Sequence, residues 1–90
     1  MYQINKQYRL RKEEDGAGLM SDKSTAKIYM LNSTAMHIMT LLDQKPHKLD
    51  DIVTEIDTEF EGADRQTISD EIKFFVQDSK ANGFIEECRI

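Results

Sequence analysis

Residues 26–43 have the sequence AKIYMLNSTAMHIMTLLD, which changes from strand to helix character near its middle. The first six residues are rich in β-forming side chains and predict a strand over residues 26–31. Asn32 or Ser33 can then cap a helix. Apolar residues beyond this cap recur at helical spacing. The predicted apolar stripe of this first helix consists of Ala35, Ile38, Met39 and Leu42.

Two more strands are predicted upstream, at residues 8–12 and 19–21. Residues 13–18 contain three acids and two glycines, and residues 22–25 are polar, so both segments predict turns. Three short strands separated by turns form an antiparallel meander. The strand that precedes the first helix is therefore the last strand of this meander.

The last strand carries apolar side chains on both of its faces. Tyr29 and Leu31 point to one face, and Ile28 and Met30 point to the other. So small a sheet packs only one face against its own helices. The second apolar row therefore requires partial burial at an edge or a partner molecule. Taken alone, the residue types favour a place in a small core for Ile28 and Met30.

Two further helices follow the first, which ends before Pro46. The second helix has its apolar stripe at Leu49, Ile52, Val53, Ile56 and Phe60. The third helix begins at Asp64 or Thr67 and ends at Asn82-Gly83. Its inner stripe consists of Ile68, Ile72, Phe75, Val76 and Ser79.

This order of elements predicts an α+β fold of the winged helix-turn-helix type, with an N-terminal three-stranded antiparallel β-sheet followed by three α-helices. Ninety residues are enough for one small domain and too few for two. We therefore expect a single domain over residues 1–90, with its core at about residues 7–86 and frayed ends.

The charge is unevenly distributed along the chain. Twelve basic and seventeen acidic side chains give a formal net charge of −5. Residues 1–31 hold six basic and four acidic side chains, whereas residues 32–90 hold six and thirteen. The third helix lies in the acidic part and itself has more acids than bases. DNA-binding proteins neutralise several phosphates with Lys and Arg, so DNA binding through this helix is not expected.

Several other classes of protein are excluded. The longest apolar run has four residues, at 28–31, which is too short to span a bilayer. The N-terminus has no apolar signal core and Cys88 has no second cysteine to pair with, so a cytoplasmic location is expected. His37 and His47 have no Cys or paired carboxylate at ligand spacing. We expect no metal, no cofactor and no enzymatic activity.

Two stretches resemble the PqqD family. Residues 28–43, IYMLNSTAMHIMTLLD, resemble its signature of a strand, Leu-Asn-x-Thr/Ala-Ala, a helix and Leu-Asp-Gly. Residues 71–76, EIKFFV, with residues 83–85, GFI, resemble the family's closing Asp-Val-x-x-Phe-Leu and Gly-Leu-Ile. The resemblance covers about residues 7–86, in the family's order and spacing.

The chain departs from the family pattern at several positions. Gln44 replaces a Gly, Lys48 replaces a Thr cap, and Ser79 replaces a Leu. The Cys and Trp frequent in quinone-cofactor members are absent, since Leu42 and Phe84 stand in their places. The pair formed by the second and third predicted strands looks more like that of stand-alone recognition proteins from lasso-peptide and related pathways.

The resemblance implies a recognition element for ribosomally made, post-translationally modified peptides. Such a domain binds the leader segment of a precursor as an added strand at the edge of the last strand, beside the third helix. It presents the precursor to a peptide-modifying enzyme, such as a radical SAM enzyme, a leader protease or a cyclase. The implied peptide-binding residues are Lys27, Ile28, Tyr29, Met30, Leu31, Asp70, Lys73, Phe74 and Gln77.

Phe74 is the most distinctive of these residues, because it lies opposite the apolar stripe of its helix. We expect a monomer or weak homodimer with no nucleic acid and no membrane as partner. Two alternatives stay open at this point. One is a winged-helix transcriptional regulator that binds DNA, and the other is a homodimer in which the exposed strand edge serves assembly.

Overall fold

The computed structural model describes residues 1–58 and 64–88. Its elements are β1 (Tyr2–Ile4), β2 (Tyr8–Lys12), β3 (Gly18–Asp22), β4 (Ile28–Leu31), α1 (Ser33–Gln44), α2 (Leu49–Asp57), α3 (Arg65–Ala81) and β5 (Ile85–Glu87). The predicted α+β fold, with an N-terminal antiparallel sheet followed by three helices, is confirmed. Phe60, predicted on the second helix, lies outside the described residues. Within the two described ranges, no helix has the length and apolar character needed to cross a membrane.

The strands β2, β3 and β4 form the predicted antiparallel sheet, in that spatial order. β3 is central, and its Met20 faces Leu10 of β2 and Tyr29 of β4. Met20 is fully buried, so this face of the sheet contributes to the hydrophobic core. The opposite face of the sheet carries exposed side chains, among them Arg9 and Arg11.

The loop between β3 and β4 is ordered by Asp22. Its carboxylate accepts hydrogen bonds from the Ser24 N–H and hydroxyl (both 2.8 Å), the Thr25 N–H (3.3 Å) and the Gln7 amide (3.1 Å). The Ser24 backbone bond, followed by the Gln7 bond, holds the pKa of the Asp22 carboxyl well below its usual range. Ala26 closes the loop at φ 63°, so β4 begins two residues later than predicted.

The two ends of the chain pair with each other. β1 and β5 form an antiparallel pair in which Tyr2 lies opposite Glu87 and Ile4 lies opposite Ile85. Ile4 and Ile85 are both buried, and Lys80 forms an ion pair with Glu87 (2.8 Å). The prediction of frayed ends is wrong for the described residues. Two three-residue strands at opposite ends of the chain leave no local periodicity from which to predict them.

The helices bury most of the stripes that their spacing predicts, whereas Leu49 and Phe75 are half-buried. The buried helical residues are Ala35, Met36, Ile38, Met39, Leu42, Ile52, Val53, Ile56, Ile68, Ile72, Val76 and Ser79. All of them except Ala35, Met36 and Ser79 pack with Met20, Ile4 and Ile85 into one core cluster. α2 packs against both α1 and α3, and the start of α3 lies near the end of β4.

The helix caps resolve the alternatives that the sequence leaves open. Asn32 caps α1, since its side-chain oxygen accepts a hydrogen bond from the Ala35 N–H (2.8 Å). Asp64 caps α3 and accepts from the Gln66 N–H (3.2 Å). Lys48 stands at the cap position of α2 and makes no side-chain cap bond. α3 therefore begins at the earlier of its two predicted starts, with a capped first turn.

Candidate functional site

One edge of the three-stranded sheet is open, as predicted. β4 pairs with β3 on one side, and no described strand pairs with its other side. The N–H of the last β3 residue donates to the Lys27 carbonyl oxygen (2.9 Å). Because hydrogen-bonded pairs alternate along an antiparallel ladder, Tyr29 and Leu31 direct their backbone groups toward β3. Ile28 and Met30 therefore direct their N–H and C=O groups toward the open side.

The side chains of β4 follow the same alternation. Ile28 is 64% exposed and Met30 is 88% exposed, so the core role favoured by residue type alone is wrong. Tyr29 is half-buried, and its ring packs against the rings of Phe84 (4.9 Å between centroids) and Tyr8 (6.4 Å). Burial raises the pKa of the Tyr8 hydroxyl, with smaller contributions from the Asp22 charge and from Tyr29. This aromatic cluster fixes β4 to the body of the domain.

A cavity of about 640 Å³ lies between the end of β4, the first turn of α1 and the first half of α3. We call it the groove. Its floor consists of Ile38, Ile56, Ile68 and Ile72, all of which are buried. Phe75, which is half-buried, forms part of the α3 wall. The volume and the apolar floor suit a site that accepts apolar side chains of a ligand.

The rim of the groove is polar. Asn32, Thr34 and Thr67 line it, together with the carboxylates of Asp64 and Glu71. No Lys, Arg or His occurs among its described lining residues. The groove therefore combines an apolar floor with a negatively charged wall on α3.

The predicted site residues divide into two groups. Met30 and Leu31 line the groove, and Lys27, Ile28 and Tyr29 continue the same chain segment away from it. Four other predicted residues are exposed on α3, but the groove lining does not include them. These four are Asp70, Lys73, Phe74 and Gln77.

The row of α3 that does line the groove is different. Asp64, Thr67, Ile68, Glu71 and Phe75 recur at spacings of three and four residues, which places them on one side of the helix. Sequence reasoning assigns Ile68 and Phe75 to the core and overlooks Thr67 and Glu71 as site residues. The missed signal is that acids and a Thr border the apolar stripe on this side.

Phe74 lies at the boundary between the groove-lining residues of α3 and the exposed residues of α3 outside the groove. It is 75% exposed and stands three residues after Glu71, one helical turn along the same surface. A side chain in this position can contact a molecule that extends past the rim of the groove. Sequence reasoning finds Phe74 because an exposed aromatic side chain interrupts a polar face.

The remaining candidate residues do not form a second site. The His47 Nδ1 atom lies 2.8 Å from the Lys45 carbonyl oxygen, and Cys88 is half-buried. Across residues 1–58 and 64–88, no three His, Cys, Asp or Glu side chains come together in the manner of a metal site. The groove and the adjoining open edge together offer one continuous surface for a ligand.

Comparisons with known proteins agree with this geometry. A family model described as Coenzyme PQQ synthesis protein D (PqqD) matches residues 18–85. A search of curated proteins gave no match.

Two solved structures share the fold. One is described as "TbiB1 in Complex with the TbiA(beta) Leader Peptide" and is 18% identical, with a TM-score of 0.78 over 98% of this chain and 99% of that chain. The other, "Lasso peptide synthetase B1 complexed with the leader peptide", is 20% identical, with a TM-score of 0.75 over 96% and 98%. The similarity therefore extends over almost the whole chain.

Proposed function

The chain belongs to the PqqD family, and we propose that it binds the leader segment of a ribosomally synthesised precursor peptide and presents it to a modifying or processing enzyme. The observation that carries this proposal is the open edge of β4 beside the apolar groove. The two solved structures of the same fold are complexes of other proteins with leader peptides, which supports a peptide as the ligand.

The backbone of β4 supplies the affinity in this proposal. The N–H and C=O groups of Ile28 and Met30 face the open side, where an extended peptide adds as a further strand and bonds to them. Main-chain bonds of this kind do not depend on the peptide's side chains. The edge therefore holds a strand, and selectivity has to come from the groove.

The groove supplies the selectivity. In an added strand, successive side chains point to opposite faces, so every second residue points toward α3. These inward side chains enter the groove above Ile38, Ile68 and Ile72. We expect the bound segment to be apolar at inward positions, because each apolar side chain that leaves water there stabilises the complex.

The four exposed residues of α3 that the sequence predicts as peptide-binding contribute less to binding in this proposal. Phe74, one turn from Glu71, contacts the peptide where it leaves the groove. Asp70, Lys73 and Gln77 orient the segments that flank the bound strand. Lys27 stands at the other end of β4, where it meets acidic residues of the leader. These contacts lie outside the groove, so we expect each to contribute less than the edge and the floor.

The function proposed is binding without catalysis. The bound leader tethers the rest of the precursor beside an enzyme, whether a radical SAM enzyme, a leader protease or a cyclase. Arg9 stands exposed on the sheet face and is available to an acidic partner surface. Arg11 is exposed on the same face and pairs with Glu13 (3.7 Å).

DNA binding is disfavoured by the ion pairs of α3. The helix has three basic side chains, of which Arg65 pairs with Asp57 (2.9 Å) and Lys80 pairs with Glu87 (2.8 Å). Lys73 is the remaining base of this helix, beside Asp70, Glu71 and Asp78. A recognition helix of this composition offers little charge to DNA phosphates.

Titration of a synthetic leader peptide, taken from the precursor gene nearest to this chain's gene, into ¹⁵N-labelled protein tests the proposal. We expect amide shifts in residues 27–31 and on the groove side of α3, with a Kd between ~10 nM and ~1 µM, since ordering a flexible leader costs ~2–5 kcal/mol. A scrambled peptide of the same composition is the control. Shifts that avoid β4, or equal binding of the scrambled peptide, would contradict the proposal.

Sedimentation with and without the leader separates this function from self-assembly. A domain that uses its open edge for a leader stays monomeric or weakly dimeric, and the leader disperses any strand-paired dimer. A stable dimer that the leader does not affect would favour assembly as the role of the edge.

A further inference from the structure

The two carboxylates of the groove wall have different surroundings. Both Asp64 oxygens are engaged, because Oδ1 accepts from the Gln66 N–H (3.2 Å) and Oδ2 accepts from the Thr67 hydroxyl (3.2 Å). Glu71 lines the same wall about two turns further along α3. Within the described residues, the exposed carboxylate of Glu71 accepts no hydrogen bond and forms no ion pair. Its charge is therefore balanced by solvent and not by the protein.

A strand in the groove changes this balance. Peptide side chains that enter the groove displace water from the Glu71 carboxylate, and a charge that loses water without gaining a partner is destabilised. The described groove lining has no cation that can move to compensate. The compensating charge has to come from the peptide, and an acidic peptide residue at the same place is repelled.

We propose that Glu71 selects leader segments that bring a Lys or Arg side chain into the groove. This inference rests on the proposed function and adds the chemistry of the ligand. The selected segment combines apolar inward residues, which cover the isoleucine floor, with one basic residue that pairs with Glu71. Lys and Arg both have stems long enough to pack over apolar surface while their charged ends reach a carboxylate at the rim.

Asp70 provides a matched control for Glu71. It is the preceding residue, has the same charge and is exposed, but the groove lining does not include it. Its carboxylate accepts a hydrogen bond from the Gln66 side chain (2.9 Å). Substitutions at the two positions change the net charge of the protein equally. A difference in binding between them therefore reports a local contact and not the overall field.

The test measures binding of the labelled synthetic leader to E71Q, E71K and D70K, each checked for folding by circular dichroism. We expect E71K to weaken binding about tenfold or more and E71Q by a smaller factor, whereas D70K, which lies outside the groove lining, weakens binding only about two- to threefold, as expected for a flanking contact. Replacing each Lys or Arg of the leader by Glu identifies the pairing residue. Binding of that charge-reversed leader is then restored by E71K and not by D70K.

The outcomes separate this inference from the function on which it rests. Equal effects of E71K and D70K, no effect of E71K, or tight binding of a leader without Lys or Arg would each overturn the inference while leader binding stands. If the wild-type protein binds no leader, both the proposed function and this inference fail. If E71K does not fold, the binding affinity of E71Q tests the inference instead, because E71Q removes the charge without changing the size of the side chain.

Discussion

Neighbouring residues of β4 serve opposite sides of the strand. Tyr29 bonds through its backbone to β3 and packs its ring against Phe84, so it belongs to the folded domain. Met30 is 88% exposed and directs its backbone groups to the open edge, so it is available to a ligand that binds at this edge. The comparison shows that stability and binding can be separated one residue apart, because a strand alternates in both side chains and hydrogen bonds.

α3 shows the same contrast at Phe74 and Phe75. Phe75 is half-buried and lines the groove, whereas Phe74 is 75% exposed and stands outside the groove lining. The helix thus has a groove row and an outer row, as β4 has an inner and an outer set of residues. Substitutions at adjacent positions in each element test whether this division is real.

The largest effect is expected from Tyr29→Pro. Proline removes the N–H that bonds to β3, and the substitution also removes a ring from the aromatic cluster. We expect a loss of about 3 kcal/mol or more in the free energy of unfolding. Urea unfolding followed by circular dichroism measures it. A variant that stays as stable as the wild type would mean that β4 does not pair with β3 in the register described.

Met30→Pro is the matched substitution on the open side. Its N–H does not bond to β3, and proline is tolerated on edge strands, so we expect the free energy of unfolding to change by less than ~1 kcal/mol. Leader binding is expected to weaken about 10- to 100-fold, because the added strand loses a main-chain donor. Calorimetric titration measures this loss. Wild-type affinity in a folded Met30→Pro variant would exclude strand addition at β4.

The phenylalanine pair gives an intermediate effect. Phe75→Ala removes part of the groove wall and a partly buried ring, so we expect about 1–3 kcal/mol less stability and about tenfold weaker leader binding. Phe74→Ala removes an exposed ring, so stability changes by less than ~0.5 kcal/mol and binding weakens about two- to fivefold. Thermal melts and titrations of both variants are compared. The opposite order of binding losses would make the outer row the main peptide contact.

Local periodicity explains why so much of the fold is predictable from the sequence. The stripe of α1, the strand at β4 and the Asp64 cap each lie within a few consecutive residues, where spacing and residue type are informative. The β1–β5 pair is not predictable in this way, because its register depends on residues at the two ends of the chain. Its stability comes from the burial of Ile4 and Ile85 in a core that the other elements create.

The groove is harder to predict than the edge beside it. Ile68 and Phe75 have the same spacing whether they face a packed core or an unfilled cavity, so the sequence assigns both to the core. The edge of β4 is predictable because its apolar residues occupy both faces of the strand. Phe74 is noticed because it breaks a pattern, whereas Glu71 fits the pattern of a solvated helix face and is overlooked.

The smallest effect on leader binding is expected at Asp22, which holds the loop that leads into β4 and does not line the groove. Hydrogen bonds from Ser24 and Gln7 keep the pKa of this carboxyl below its ordinary value of 3.8. Folding therefore favours the ionised form of Asp22. The stability that this carboxylate adds to the folded protein is fully present above the ordinary pKa, and it decreases as the pH falls toward the lower pKa of the folded state. Asp22→Asn removes this titration while keeping the size of the side chain.

The measurement is the difference in melting temperature between the wild type and Asp22→Asn, from about pH 2 to about pH 7. We expect the wild type to be more stable by a constant amount above about pH 5 and the difference to shrink below about pH 4. Other carboxylates titrate in both proteins, so their effect cancels in the difference. A difference that stays constant across the acid range would show that the loop does not depend on the Asp22 charge.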